Sequence, residues 1–117
     1  MLLNKEFLFG FVLFLLTQTL AYYQTNSQFF LPWAKSNPFI VALLGIPISL
    51  GYIYATQYSV QAFGGTLWPT RLVGFSAGIL TFAFLTNYHL GETITLKTTV
   101  TLILATIILL IQILWKN

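Results

Sequence analysis

The sequence predicts an all-α integral membrane protein with four transmembrane helices in a single domain, residues 1–117. Of these residues 57% are hydrophobic and only 6% are charged, whereas soluble domains carry about 25% charged residues. A soluble globule of this size could not bury so much apolar surface, because small domains leave much of their surface exposed. The apolar residues also fall into four long runs. The sequence therefore predicts that most of the apolar surface faces a lipid bilayer.

Each of the four runs reaches the roughly 17–25 residues that a helix needs to cross the hydrocarbon core. We place the helices at about 7–23, 38–60, 68–88 and 95–115. The first run also fits a signal peptide cleaved after Ala21, because a charged start precedes a short apolar stretch. Tyr22 and Tyr23 extend the run to spanning length and favour a retained helix.

Two segments carry features of helix boundaries and bends. Between the first two helices, the aromatic residues of QTNSQFFLPWAKSNP predict a loop in the headgroup zone. Pro38 fits the first position of the second helix, with Asn37 as its cap. Within that helix, Gly45 and Pro47 predict a kink, because proline lacks the backbone N–H that the helix needs.

The segment LGETITLKTT, residues 90–99, places charges between two apolar runs. Thr95 can cap the fourth helix, and Glu92 lies three residues earlier, where the helix dipole stabilises a negative charge. The sequence therefore predicts a structural hairpin turn here.

Small residues four apart predict where helices pack closely. Gly74 with Gly78 forms one such pair, and Gly51 with Ala55 forms another. Both pairs predict packing faces, and we also expect them to offer surfaces for self-association.

Charge and composition narrow the function classes. The net charge of +3 comes from scattered cations without a basic block, so nucleic-acid binding has no electrostatic basis. The chain has no cysteine and no aspartate, and one His with two Glu is too few for a catalytic metal centre or a Ser-His-Asp triad. An enzyme is the least favoured class, and we expect no cofactor.

The positive-inside rule gives a weak orientation. With the N-terminus inside, Lys5, Arg71 and Lys116 lie on the cytoplasmic side, and Lys35 and Lys97 lie outside. This near balance slightly favours both termini inside and also permits insertion both ways. We expect a multi-pass protein of the plasma (inner) membrane.

Polar residues within the spans are the candidates for solute contact, because lipid cannot satisfy them. They fall into stripes at helical spacing on the first two spans. Arg71 can hold an anionic group such as a phosphate or carboxylate, or can extend to the interface as a snorkelling cation. The predicted substrate-binding residues are Gln18, Tyr22, Tyr54, Gln57 and Arg71. A second stripe on the second helix contains Ser49, Tyr52 and Thr56.

Residues 84–111, FLTNYHLGETITLKTTVTLILATIILLI, resemble the closing hairpin of the drug/metabolite transporter superfamily. Members often join two helices by a Leu-Gly-Glu turn, followed by Leu/Ile-Thr and an apolar helix. The matching residues here are Leu90, Gly91, Glu92, Ile94 and Thr95. The length and helix count resemble the small multidrug resistance branch, whose members work as dimers. The resemblance implies a small transporter that acts as an oligomer.

The chain departs from that branch in its first helix. The branch carries a membrane-embedded glutamate there, whereas FLFGFVLFLLTQTLAYY contains no acid. Glu6 precedes the helix, and Gln18 is polar but cannot titrate. A cationic substrate has no counter-charge in this chain. We therefore expect a small polar solute that is neutral or anionic, or a lipid headgroup, as the substrate.

A rival hypothesis is a non-transporting subunit that packs against a larger membrane protein. The scarcity of charge within the spans favours it. The two hypotheses differ in where the polar stripes face. A common cavity favours transport, and separate outer surfaces favour a structural role.

Overall fold

The computed structural model describes residues 4–115. Four helices in this range are long and apolar enough to cross a membrane, at Lys5–Phe29, Pro38–Ala62, Trp68–Leu90 and Leu96–Leu114. No strand occurs among the described residues. The prediction of an all-α membrane protein with four transmembrane helices is confirmed.

The individual elements follow the apolar runs closely. They are α1 (Lys5–Asn26), a 3-10 turn (Ser27–Phe29), α2 (Pro32–Ser36), α3 (Pro38–Ala42), α4 (Gly45–Ala62), α5 (Trp68–Leu90) and α6 (Leu96–Leu114). The first helix is longer than predicted because Asn4 caps it, with its Oδ1 accepting from the Phe7 N–H at 2.8 Å. The predicted loop between the first two spans contains the 3-10 turn and α2.

The second span is broken between α3 and α4, close to the predicted kink. Pro47 cannot donate to the carbonyl of Leu43, and the Ile46 N–H donates to it instead at 3.3 Å. Asn37 stands at the N-cap position of α3 and Pro38 in its first turn, as predicted. The Asn37 side chain donates to the Trp33 carbonyl at 2.9 Å and makes no cap hydrogen bond.

The four spans form a flat layer in the order α4, α1, α5, α6. The principal extents are 48 × 36 × 18 Å, and the main contacts join neighbours in that order, with a small additional contact between α4 and α5. Helix α1 therefore lies between α4 and α5, and one face of it stays open along the groove between them.

Glycines allow α1 to lie close to both neighbours. A side chain at Gly10 would collide with Ser59 and approach the Ala55 carbonyl to 3.2 Å, and one at Gly51 would collide with Thr17. On the other side, Gly74 contacts the ring of Phe14. The two predicted small-residue pairs are thus packing faces, but α1 covers both within one chain. Their role in self-association stays a prediction.

The apolar core forms where these helices meet. Phe7 of α1 packs with Ala62 and Val73, and Phe14 packs with Ala55 and Ala77. These clusters bring the start of α1, the end of α4 and the start of α5 to the same end of the layer. Lys5 and Arg71 lie toward this end, and Lys116 of the orientation argument lies outside the described residues.

Helix α6 lies at the margin of the layer. Ala105 is its only buried residue in the described range. Its threonines at 99, 101 and 106 each donate to the carbonyl four residues earlier, at 3.0 Å. Their hydroxyls are satisfied within the helix, so α6 offers an apolar surface to lipid or to another protein.

The α5–α6 connection is the structural turn that the sequence predicts. Gly91 ends α5 with φ of 62°, a left-handed conformation that suits glycine. The Thr95 Oγ1 accepts from the Thr98 N–H at 3.2 Å and caps α6. Glu92 is exposed, and its backbone carbonyl accepts from the Asn87 side chain at 3.3 Å.

Gly91→Ala is expected to destabilise the protein by about 1 kcal/mol, because a Cβ disfavours the left-handed conformation. Gly91→Asn is the matched control, since asparagine tolerates this conformation better. Unfolding in mixed detergent micelles measures the difference. Equal stability of Gly91→Ala and the wild type would contradict the account of this turn.

Candidate functional site

The groove between α4, α1 and α5 contains a cavity of about 450 Å³, within the roughly 300–1,000 Å³ of ligand pockets. We call it the Arg71 cavity. Its lining combines apolar surface with one cation, one amide and three hydroxyls. The lining residues are Phe14, Gln18, Tyr52, Thr56, Leu67, Thr70, Arg71 and Gly74.

Arg71 is positioned by the first turn of α5. Its N–H donates to the Leu67 carbonyl at 2.9 Å, and Thr70 beside it is buried with its hydroxyl 3.3 Å from the Thr66 carbonyl. The Arg71 side chain is exposed and makes no ion pair with another described residue. Its permanent charge is thus available to a ligand.

Helix α4 contributes Tyr52 and Thr56. A stripe of small residues, among them Gly51, Ala55 and Ser59, faces α1. Tyr52 and Thr56 lie on the flank of that stripe that borders the groove, and both are half-buried. They place a phenol and a hydroxyl across the groove from α5.

Gln18 of α1 lies at the inner end of the Arg71 cavity. Its Nε2 donates to the Gly74 carbonyl at 3.3 Å. A Cβ at Gly78 would lie 2.9–3.1 Å from the Gln18 amide group. The Gln18 side chain therefore fills the gap that Gly78 leaves between α1 and α5, and the Phe14 ring fills the gap at Gly74.

Tyr22 lies in a second cavity of about 320 Å³ farther along the groove, which we call the Tyr22 cavity. The Tyr22 hydroxyl accepts from the Thr86 hydroxyl at 3.1 Å, and its ring packs edge-on against Phe82 at 5.5 Å. The lining consists of Gln18, Ala21, Tyr22, Thr25, Asn26, Gly78 and Phe82.

Two of the predicted site residues stand apart from this groove. Tyr54 and Gln57 are exposed and line neither cavity. Tyr54 lies on the flank of α4 opposite Thr56, and Gln57 faces away from α1. The structure thus brings Gln18 and Arg71 together, places Tyr22 in the adjoining cavity and leaves Tyr54 and Gln57 outside.

A cluster around His89 at the end of α5 is absent from the sequence predictions. The Tyr23 hydroxyl lies 2.6 Å from His89 Nε2. The Phe30 ring stacks on the imidazole, parallel to it at 4.4 Å. His89 is partly buried and fastens the segment after α1 to the end of α5. The spacing in the chain gives no signal for this, since more than sixty residues separate Tyr23 from His89.

Comparison of the chain with models of protein families, with curated proteins and with solved structures finds no match. The resemblance to the drug/metabolite transporters stays a prediction that rests on the quoted hairpin.

Proposed function

We propose that this protein is a small transporter of the plasma (inner) membrane that works as an oligomer. Its proposed substrate is a small polar solute, neutral or anionic, or a lipid headgroup. The observation that carries the proposal is the placement of Arg71 and Gln18 in one cavity together with the hydroxyls of Tyr52, Thr56 and Thr70.

The chemistry of the Arg71 cavity fits such a ligand. The guanidinium can donate two parallel hydrogen bonds to a carboxylate or phosphate. The Gln18 amide and the hydroxyls can bind the remaining polar atoms, and Phe14 and Leu67 supply apolar surface. A cationic ligand meets like charge at Arg71 and no carboxylate in the cavity.

The shape of the layer supports an oligomer. The groove is open on one face, and Arg71 is exposed there. Charged and amide side chains at membrane depth need protein or water around them, because lipid tails cannot bind them. In a dimer with two-fold symmetry, the grooves of the two protomers face each other. Both cavities of each protomer are then enclosed between the two chains. The dimers of the small multidrug resistance branch, which the chain resembles in length and helix count, support the same arrangement.

Uptake into proteoliposomes tests the proposal. The probes are radiolabelled inorganic phosphate, acetate and glycerol, together with a fluorescent phosphatidylglycerol whose flipping is read by dithionite quenching. Protein-dependent movement of at least one probe is expected. Rates equal to those of protein-free liposomes for all four probes contradict the proposal.

One observation favours the second candidate, an accessory subunit of a larger complex. Tyr54, Gln57, Tyr58 and Gln61 form an exposed polar stripe on α4 away from the groove. Lipid tails cannot form hydrogen bonds with the side chains of this stripe that lie in the hydrocarbon core, whereas a partner helix can. Recovery of the protein only as part of a stoichiometric complex with a larger membrane protein supports this alternative.

A further inference from the structure

The two cavities lie in succession along α1. The Arg71 cavity includes Leu67 and Arg71, both exposed beside the connection between α4 and α5. The Tyr22 cavity includes Thr25 and Asn26 at the other end of α1. Since α1 spans about 33 Å at 1.5 Å per residue, the two mouths lie toward opposite surfaces of the membrane.

Gln18 is the one residue in the described part of the chain that lines both cavities. It lies near the middle of α1, opposite Gly78 of α5, which carries no side chain to fill the space between the helices. The Gln18 amide occupies that space and donates to the Gly74 carbonyl, whereas the Phe14 ring occupies the space beside Gly74. Removal of the Gln18 side chain therefore leaves the space at Gly78 empty, where the two cavities adjoin.

The contact that holds the Gln18 side chain is weak. Its hydrogen bond to the Gly74 carbonyl is 3.3 Å long, beyond the usual 2.7–3.2 Å. A glutamine side chain has several rotatable bonds, so the amide can leave this position without movement of the helix backbone. In either position it can still donate to and accept from a polar solute.

We infer that the solute path runs along the α1–α5 groove and that Gln18 is the barrier that separates its two halves. The inference rests on the proposed function and assigns the Tyr22 cavity to the same path, as the half-site open to the opposite surface. Gln18 is here a gating residue, and Gly78 provides the surface against which it closes.

Cysteine labelling tests this inference directly, because the chain contains no cysteine of its own. Two double variants, Thr56→Cys with Thr66→Cys and Ala21→Cys with Ser36→Cys, pair one cavity position with an exposed position between two spans at the same end. Sealed vesicles receive the impermeant reagent sulfonatoethyl methanethiosulfonate on the outside. Intact mass then counts the labels on each molecule, which makes the result independent of the orientation of insertion.

With Gln18 present, each molecule of either variant is expected to carry two labels or none. Molecules with a single label at the cavity position, or no labelling of the cavity cysteines at all, overturn the inference. Ile53→Cys with Thr66→Cys is the control for the outer face, because Ile53 is exposed on α4 outside both cavities. It is expected to label only at position 66.

Addition of Gln18→Ala is expected to make both cavity cysteines accessible from either surface, with at least a tenfold rise in labelling from the far side. Gly78→Ala is a second route to the same result, since its Cβ displaces the flexible end of Gln18. Gln18→Leu keeps the bulk and is expected to preserve the sided pattern.

Unchanged sidedness in both Gln18→Ala and Gly78→Ala overturns the barrier role. The test needs no transported solute. A sided pattern that Gln18→Ala abolishes, together with no movement of any probe in proteoliposomes, upholds the path and overturns the proposed function.

Discussion

Arg71→Ala is expected to lower the uptake of an anionic probe, inorganic phosphate or acetate, by about 10- to 100-fold. Hydrogen bonds to a charged group contribute about 1.5–3 kcal/mol, and each 1.4 kcal/mol is a factor of ten in affinity. Among the residues that the structure describes, Arg71 is the only cation in the lining of the Arg71 cavity. The measurement is initial uptake into proteoliposomes at matched protein density.

Two variants make this result specific. Arg71→Lys keeps the charge but loses the planar fork, so an intermediate rate is expected. Lys97→Ala removes a cation at the start of α6, outside both cavities, and is expected to keep the wild-type rate. Wild-type uptake by Arg71→Ala rules out the assigned role of this residue.

Gly10→Ala is expected to have the largest effect on stability, because backbone atoms of α4 lie against this position of α1. The added Cβ collides with Ser59 and meets its backbone nitrogen at 3.0 Å and the Ala55 carbonyl at 3.2 Å. Since backbone atoms stand in the way, the helices have to separate. Overpacking of this kind costs about 1–3 kcal/mol, measurable by unfolding in mixed micelles.

Gly45→Ala is the matched control, because the same change there meets only the Gln24 side chain, at 3.4 Å. It is expected to leave stability unchanged or slightly raised, given the better helix propensity of alanine. A second site offers a rescue. Gly51→Ala collides with the Thr17 side chain, and Thr17→Ala in the same molecule removes the colliding atoms and is expected to restore part of the loss. Equal effects of Gly10→Ala and Gly45→Ala would refute the close approach.

The sequence was sufficient for the spans and the turn between α5 and α6. An apolar run of this length has few possible structures other than a spanning helix, so the hydropathy pattern located all four helices. Gly91 and Thr95 act through local conformation and local hydrogen bonds. Such features depend on a few neighbouring residues, and for that reason they can be recognised without knowledge of the fold.

The choice between the two polar stripes of α4 could not be made in this way. Tyr52 and Thr56 lie on one flank of the Gly51–Ala55 packing face and Tyr54 lies on the other. The small residues of α4 indicate which of its faces packs against α1. Which flank of that face borders the groove toward α5 depends on the handedness of the assembled layer. Periodicity within one helix carries no information about that handedness, so the sequence alone does not show that Tyr52 and Thr56, rather than Tyr54 and Gln57, line the Arg71 cavity.

The native mass of the protein, extracted gently from its own membrane with lipids retained, shows whether a second copy closes the groove. We expect a homodimer, twice the mass of the chain, that retains a small polar molecule or an anionic lipid which Arg71→Ala loses. A monomer, or a stoichiometric complex with a larger membrane protein, would contradict a groove that a second copy closes.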